Sequence, residues 1–169
     1  MIGFFSKAGR LMRRMKRSVF CSLMLPAFLS AGNAGAVDIP LEPDQQEMFD
    51  IAGNFGYAWL ERNSWGAPVI RVHGHSVEYS IDLYNCRNGE SCWDVRFSAR
   101  WPDAVTPLQF INDWNREARY GKAFLDSDSH PNLTMDLEIV YGTDRRKLES
   151  IFDHWSSSLN DFTQEIVKK

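Results

Sequence analysis

The chain has 169 residues and a formal net charge of −3 at pH 7. Residues 1–36 hold six of the 19 basic residues and none of the 22 acidic ones, which leaves 13 basic and 22 acidic residues after position 36, a charge of −9. An acidic body of this kind repels phosphate groups, which excludes nucleic acid and anionic membrane surfaces as partners. Its length suits one domain with its own core.

Residues 1–36 have the order of a secretory signal peptide. A cationic cluster at 13–17 precedes an apolar run at 19–29 and the small residues 34–36, an A-x-A cleavage pattern. We predict cleavage after Ala36, a periplasmic or secreted mature chain, and no stable membrane insertion after cleavage. The apolar run is shorter than the ~20 residues that span a bilayer. Two alternatives stay open: a start at Met12 instead of Met1, and a leader retained as an envelope anchor.

The mature chain begins with a predicted linker at 37–43, followed by a predicted domain at 44–166. Apolar residues at helical spacing predict a first helix that begins near Asp44. Gly56 is predicted to end this helix in a left-handed cap.

Alternating apolar and polar residues predict the sheet. At 77–83 and at 93–101 the apolar residues share one face, as in an antiparallel hairpin with one buried face. The other predicted strands are 57–61, 69–73, 122–126 and 133–140.

The two cysteines of the mature chain, Cys86 and Cys92, lie six positions apart within this hairpin. In an exported protein they are predicted to form a disulfide, which stabilises by about 2–2.5 kcal/mol through loop closure. A two-residue turn at Asn88-Gly89 places Cys86 opposite Ser91, one residue out of register. We therefore predict a longer loop or a bulge. Cys21 leaves with the leader.

Two further helices complete the pattern. Thr106, Pro107 and Gln109 predict a helix start with a capping box, and this helix runs to about 119 or 120. Its predicted inward residues are Leu108, Ile111, Trp114 and Ala118. Asp144 caps a long last helix with one apolar stripe. The element order predicts an α+β fold, an antiparallel sheet of about five to six strands with helices packed on one side.

No catalytic constellation is visible, so we predict no catalytic residue, no cofactor and no metal. His73 and His75 alternate around Gly74, and a small periplasmic metal-dependent hydrolase that uses them is the alternative. The run 126–130 is similar to the start of a calcium loop. Pro131 and Leu137, however, stand where that loop needs glycine and glutamate, which favours a polar turn.

One helical segment looks more specific than folding requires. Asn112 and Asn115 are poor helix formers, yet they lie three positions apart, with Trp114 between them and Arg119 one turn further on. We predict that these residues form either a buried polar clamp between helix and sheet or a surface that contacts a partner.

The same segment carries a family resemblance. The run 112–115, the run 119–123 and a strand ending at Asp126 resemble the signature of YbjN-domain proteins. Three other features agree with this family: the cysteine hairpin seen in its exported members, the acidic strand with Asp136, and the closing helix with Trp155. The resemblance extends from about residue 44 to residue 162.

The resemblance implies a function class. The YbjN family is described as bacterial sensory transduction regulators, and its domain resembles the type III secretion chaperone fold. It therefore implies a non-enzymatic module that binds a protein partner of unknown identity, chaperone-like or regulatory in action, with a possible homodimer. Fold alone does not fix the partner.

Overall fold

In the computed structural model, the described residues are 41, 43–74, 77–87, 92–139 and 144–167. They form three helices and six strands. The order is α1 (Pro43–Ala52), β1 (Tyr57–Arg62), β2 (Pro68–His73), β3 (Glu78–Tyr84), β4 (Asp94–Arg100), α2 (Leu108–Glu117), β5 (Lys122–Leu125), β6 (Pro131–Glu138) and α3 (Arg145–Val167). The predicted signal peptide and most of the predicted linker lie outside the described residues.

All six strands form one antiparallel sheet in the order β1-β2-β3-β4-β6-β5. This sheet and its helices confirm the predicted α+β fold class. In the part of the chain that the structure describes, no helix is long and apolar enough to cross a membrane.

One face of the sheet is buried because its strands alternate as predicted. Ile81 of β3 lies opposite Ile70 of β2 and Phe97 of β4, and all three are fully buried. The apolar stripe of α3 covers this face, with Phe152 stacked edge-on against Phe97 at a centroid distance of 5.2 Å. The Asp144 side chain caps α3 as predicted, since its Oδ1 accepts the Lys147 N–H at 2.9 Å.

The hairpin between β3 and β4 contains the predicted disulfide. The sulfur atoms of Cys86 and Cys92 are 2.02 Å apart. Tyr84 pairs with Asp94, so the connection runs from 85 to 93 and brings the two cysteines into register. The prediction of a loop longer than two residues is confirmed; residues 88–91 lie outside the described residues.

The predicted left-handed cap at Gly56 is wrong. Helix α1 ends at Ala52, and the Phe55 N–H donates to the Ala52 carbonyl at 2.9 Å in a closing turn. Gly56 is required for another reason, because a Cβ there would lie 2.4 Å from the His73 carbonyl oxygen. The glycine allows the chain entering β1 to pass close to the end of β2.

The start of α2 also differs from the prediction. The N-cap is Pro107, with extended φ −70° and ψ 149°, and it makes no side-chain capping bond. Thr106 therefore lies one residue too early to form the predicted box, and Gln109 instead donates to Asp113 at 2.9 Å. The helix ends at Glu117, and Leu108, predicted to point inward, is 60% exposed. Phe110 and Ile111 form its buried side.

Candidate functional site

The face of the sheet opposite the helices is not covered by any helix among the described residues. We call it the open face, and it is formed by the strand residues that alternate with the core residues. Residues paired between neighbouring strands form rows across the open face. One such row crosses five strands and consists of Trp59, Arg71, Ser80, Ser98 and Thr134.

Small hydroxyl side chains form the floor of the open face. Ser80 lies opposite Ser98, which lies opposite Thr134. These three residues are part of the lining of a trough with a volume of about 470 Å³. Arg71 and Phe124 stand among the residues along its sides.

Ion pairs between neighbouring strands order the charges of the open face. Arg96 donates two hydrogen bonds to Asp136, at 2.5 and 3.0 Å, from directly opposite register positions. Arg71 similarly donates to Glu61 at 3.1 Å. Exposed pairs of this kind contribute little to stability. They hold the charged groups in a fixed pattern along the sheet.

The β1 end of the open face carries an aromatic pair, exposed Tyr57 and half-buried Trp59. Tyr57 and Trp59 stack with centroids 5.7 Å apart, and Tyr57 is 73% exposed. The Trp59 indole N–H donates to Glu61 at 3.0 Å. Hydrogen bonds from Trp59 and then from Arg71 lower the pKa of Glu61, so this carboxylate is charged beside the aromatic pair.

The predicted site residues of α2 are not brought together as a group. Asn115 is half-buried; its Nδ2 donates to the Ala123 carbonyl at 2.9 Å, and its Oδ1 accepts the Ala123 N–H at 2.8 Å. The indole N–H of Trp114, also half-buried, donates to the Gly121 carbonyl at 3.1 Å. These two side chains clamp α2 to the start of β5.

Asn112 and Arg119, the other two predicted site residues, are exposed. Helical geometry explains the difference, because Asn115 lies four positions after the buried Ile111 and Asn112 lies next to it. Arg119 follows the end of α2. The three-residue spacing of the two asparagines was therefore the wrong criterion for a shared contact.

The sequence model of the YbjN family, described as "Putative bacterial sensory transduction regulator", matches residues 52–168. The chain belongs to the YbjN family. No curated protein is similar enough to this YbjN-family chain to count as a relative.

Two solved structures are similar to this YbjN-family chain. One is E. coli YbjN, "a putative transcription regulator", with 20% identity and a TM-score of 0.47 over 74% of this chain and 87% of that one. The other is the Yersinia pestis type III secretion chaperone SycH in complex with a fragment of YscM2. It has 19% identity and a TM-score of 0.46 over 72% of this chain and 97% of that one.

Of the two histidines in the predicted metal alternative, the structure describes His73 alone. His73 is exposed at the end of β2 and lies opposite Glu78. His75 lies outside the described residues.

A different group, Asp126, Asp128 and His130, brings possible metal ligands within 4.8 Å of one another in the β5–β6 turn. Arg100 already contacts all three. Its guanidinium donates to Asp126 at 2.7 Å and to His130 Nδ1 at 2.6 Å, and lies 3.7 Å from Asp128. A fixed cation among these groups repels a metal ion, which agrees with the predicted polar turn. Sequence analysis missed Arg100, which is 26 residues distant from Asp126.

Replacing Asp126 with asparagine is expected to lower the melting temperature at neutral pH. The pKa of Asp126 is held well below its usual range, chiefly by the Arg100 hydrogen bond and also by the backbone N–H groups of His130 and Asp128. A carboxylate with a depressed pKa stabilises the fold above its unfolded pKa of about 3.9 and loses this effect as the pH falls.

The melting difference between the wild type and Asp126→Asn should therefore stay constant from about pH 7 to 5 and shrink below about pH 4. Thermal unfolding across this range measures it. Asp128→Asn, at a more exposed carboxylate, is the matched control and should have a smaller effect. A difference that grows below pH 4 would contradict the role of the Asp126–Arg100 pair.

Proposed function

We propose that the mature chain is an exported, non-enzymatic binding module, regulatory or chaperone-like in action, that recognises a protein partner at the β1 end of the open face. Membership of the YbjN family supports the regulatory class. The observation that carries the proposal is the stacked pair of exposed Tyr57 and half-buried Trp59 on the edge strand β1.

The edge position of β1 supplies the first half of a recognition surface. β1 pairs with β2 and has no strand on its other side in the described sheet. An edge strand presents backbone N–H and C=O groups that an extended polypeptide can join as an additional strand. Backbone pairing of this kind supplies affinity without selecting a particular sequence.

The aromatic pair supplies the second half. Tyrosine and tryptophan are the side chains most often found as anchors of protein interfaces, because they bury a large area and lose little entropy. Glu61 and Arg71, next to the pair, add one charge of each sign for selection. The favoured partner is therefore an extended segment with apolar side chains and both kinds of charge.

The test compares two variants in capture experiments on the exported protein. Tyr57→Ala/Trp59→Ala should reduce recovery of the wild-type partner at least about tenfold. Trp93→Ala, at a half-exposed tryptophan in the loop before β4, should retain it. Equal recovery with both variants would overturn the proposal. If the only species lost is a dimer, seen by light scattering, the occupant is a second copy of the chain.

Export is part of this proposal and has its own test. The leader pattern at 13–36 and the Cys86–Cys92 bond support it. We expect N-terminal sequencing to find a mature chain that begins at Val37, and alkylation to find no free thiol. A full-length cytoplasmic chain with free thiols would overturn export, whereas a full-length chain in the membrane fraction would establish the anchored alternative.

A further inference from the structure

A groove with a volume of about 420 Å³ runs between α2 and α3. Its lining comes from 110–120, which is most of α2 and the segment after it, and from 157–165 of α3. We call it the helix groove. The contacts of Asn115 with Ala123 fix α2 at β5, the strand at the opposite edge of the sheet from β1. The helix groove is therefore separate from the edge proposed to bind a partner.

The floor of the helix groove is apolar. Phe110 is buried, whereas Trp114 and Ala118 are half-buried. The rings of Phe110 and Trp114 pack on Phe162 of α3, which joins the two helices. Tyr120, at the end of the lining segment, is 41% exposed. Long side chains can pack their aliphatic stems on such a floor while their charged ends reach the border.

The walls of the helix groove carry acidic side chains. Asp113 and Glu117 lie four positions apart on α2. Asp161 and Glu165 lie four positions apart on α3. Carboxylates at this spacing are neighbours on the helix surface and repel each other. Arg119 is the one basic residue among the described lining residues, so the helix groove is acidic overall.

The two acidic pairs differ in how their charge is compensated. The Arg116 guanidinium lies 2.8 Å from Asp113 and 3.4 Å from Glu117, so the α2 pair has a cation close to both carboxylates. Asp161 and Glu165 are exposed, and neither forms an ion pair within the described residues. A cation from a bound molecule would do for the α3 pair what Arg116 does for the α2 pair.

Charge and floor together define the occupant. An inorganic cation would compensate the carboxylates but leave the apolar floor uncovered. A second copy of the acidic mature chain would add charge of the same sign. A lysine or arginine side chain next to an apolar one fits both features, and a cation above Trp114 or Tyr120 gains a further attraction to the ring.

We propose that the helix groove binds a basic amphipathic segment of another polypeptide. Its lysine or arginine side chains lie beside Asp161 and Glu165, and its apolar side chains cover Trp114. This inference goes beyond the recognition of a partner at β1 and does not depend on it, because the two surfaces share no residue.

Titration calorimetry at physiological salt with a synthetic amphipathic helix of leucine and lysine tests the proposal. The same peptide with glutamate in place of lysine is the charge control. We expect the lysine peptide to bind and the glutamate peptide not to bind. Asp161→Asn/Glu165→Gln should weaken binding of the lysine peptide about fivefold or more, the effect of losing two exposed ion pairs.

Glu149→Gln/Asp153→Asn is the matched control. It makes the same change of charge at two exposed positions of α3 outside the groove lining. Each position lies twelve residues before its counterpart, about 18 Å along the helix axis and about two Debye lengths at physiological salt. The control should change binding less than about twofold. An equal loss in both variants would mean a general attraction to the acidic chain and overturn the proposal.

Three further variants locate the bound peptide. Ser157→Trp, at an exposed position of the lining, should block the lysine peptide by filling the helix groove, whereas Asn160→Trp, exposed on α3 outside the lining, should not. Tyr57→Ala/Trp59→Ala on the open face should bind the peptide as the wild type does.

The groove variants replace exposed side chains, so their melting temperatures without peptide should stay close to that of the wild type. Three results would each overturn the proposal. They are no binding of the lysine peptide at millimolar concentration, binding that Ser157→Trp leaves intact, and binding that is lost in Tyr57→Ala/Trp59→Ala.

Discussion

Replacing Phe162 with alanine is expected to lower the free energy of unfolding by about 3–5 kcal/mol, the largest effect of any single truncation considered. Phe162 is fully buried on α3 and touches three other aromatic rings. Its centroid lies 5.0 Å from that of Trp101, 5.6 Å from that of Phe110 and 4.8 Å from that of Trp114. Alanine would leave a cavity where α2, α3 and the end of β4 meet.

Chemical denaturation of two reference variants checks this prediction. Phe162→Leu keeps most of the volume and should lose less than half as much. Leu108→Ala on α2 removes an apolar side chain that is largely exposed, and should change stability by less than about 0.5 kcal/mol. If Phe162→Ala were no more harmful than Leu108→Ala, α2 would not pack on α3 as described.

The second large effect is expected at Asn115. Asn115→Ala removes both hydrogen bonds to Ala123 and leaves the N–H and C=O of this buried β5 residue unpaired. We expect a loss of about 2–3 kcal/mol, because a protein group without its partner costs more than the bond itself contributes. Asn112→Ala, at the exposed asparagine of the same helix, should cost little and controls for helix propensity.

Hydrogen exchange gives a local reading of the same contact. The Ala123 amide should lose protection from exchange in Asn115→Ala and keep it in Asn112→Ala. In both variants the amides of β3 and β4 should lose no more protection than the change in global stability accounts for. Unchanged protection of Ala123 would mean that water replaces the asparagine at no cost. The stability loss would then need another cause.

The local features of this fold were predictable from sequence. Alternation defined β3 and β4 because one buried face forces a period of two. The cysteine spacing predicted a long hairpin connection, and Asp144 predicted the N-cap of α3. Each of these features depends on neighbours within a few positions of the chain, which is the range over which sequence patterns carry information.

The predictions failed where contacts between segments distant in sequence determine the role of a residue. Gly56 was assigned to a helix cap, although the close approach of the His73 carbonyl explains it. The sequence of the Asp126 turn does not indicate that Arg100 of β4 binds it. The three-residue spacing makes Asn112 and Asn115 look equivalent, and only the position of the buried side of α2 distinguishes them.

The two edge strands of the sheet, β1 and β5, differ in whether another strand can pair with them. At β5 the side-chain amide of Asn115 hydrogen-bonds the Ala123 backbone. The Lys122 ammonium donates hydrogen bonds to the Asn115 and Ala118 carbonyls of the α2 segment at 3.1 and 2.8 Å. β1 has no comparable seal in the described chain. A protein with one extensible border can add a single strand or form a closed pair, but it cannot polymerise by strand addition. Fibril formation would first require Asn115 to release β5.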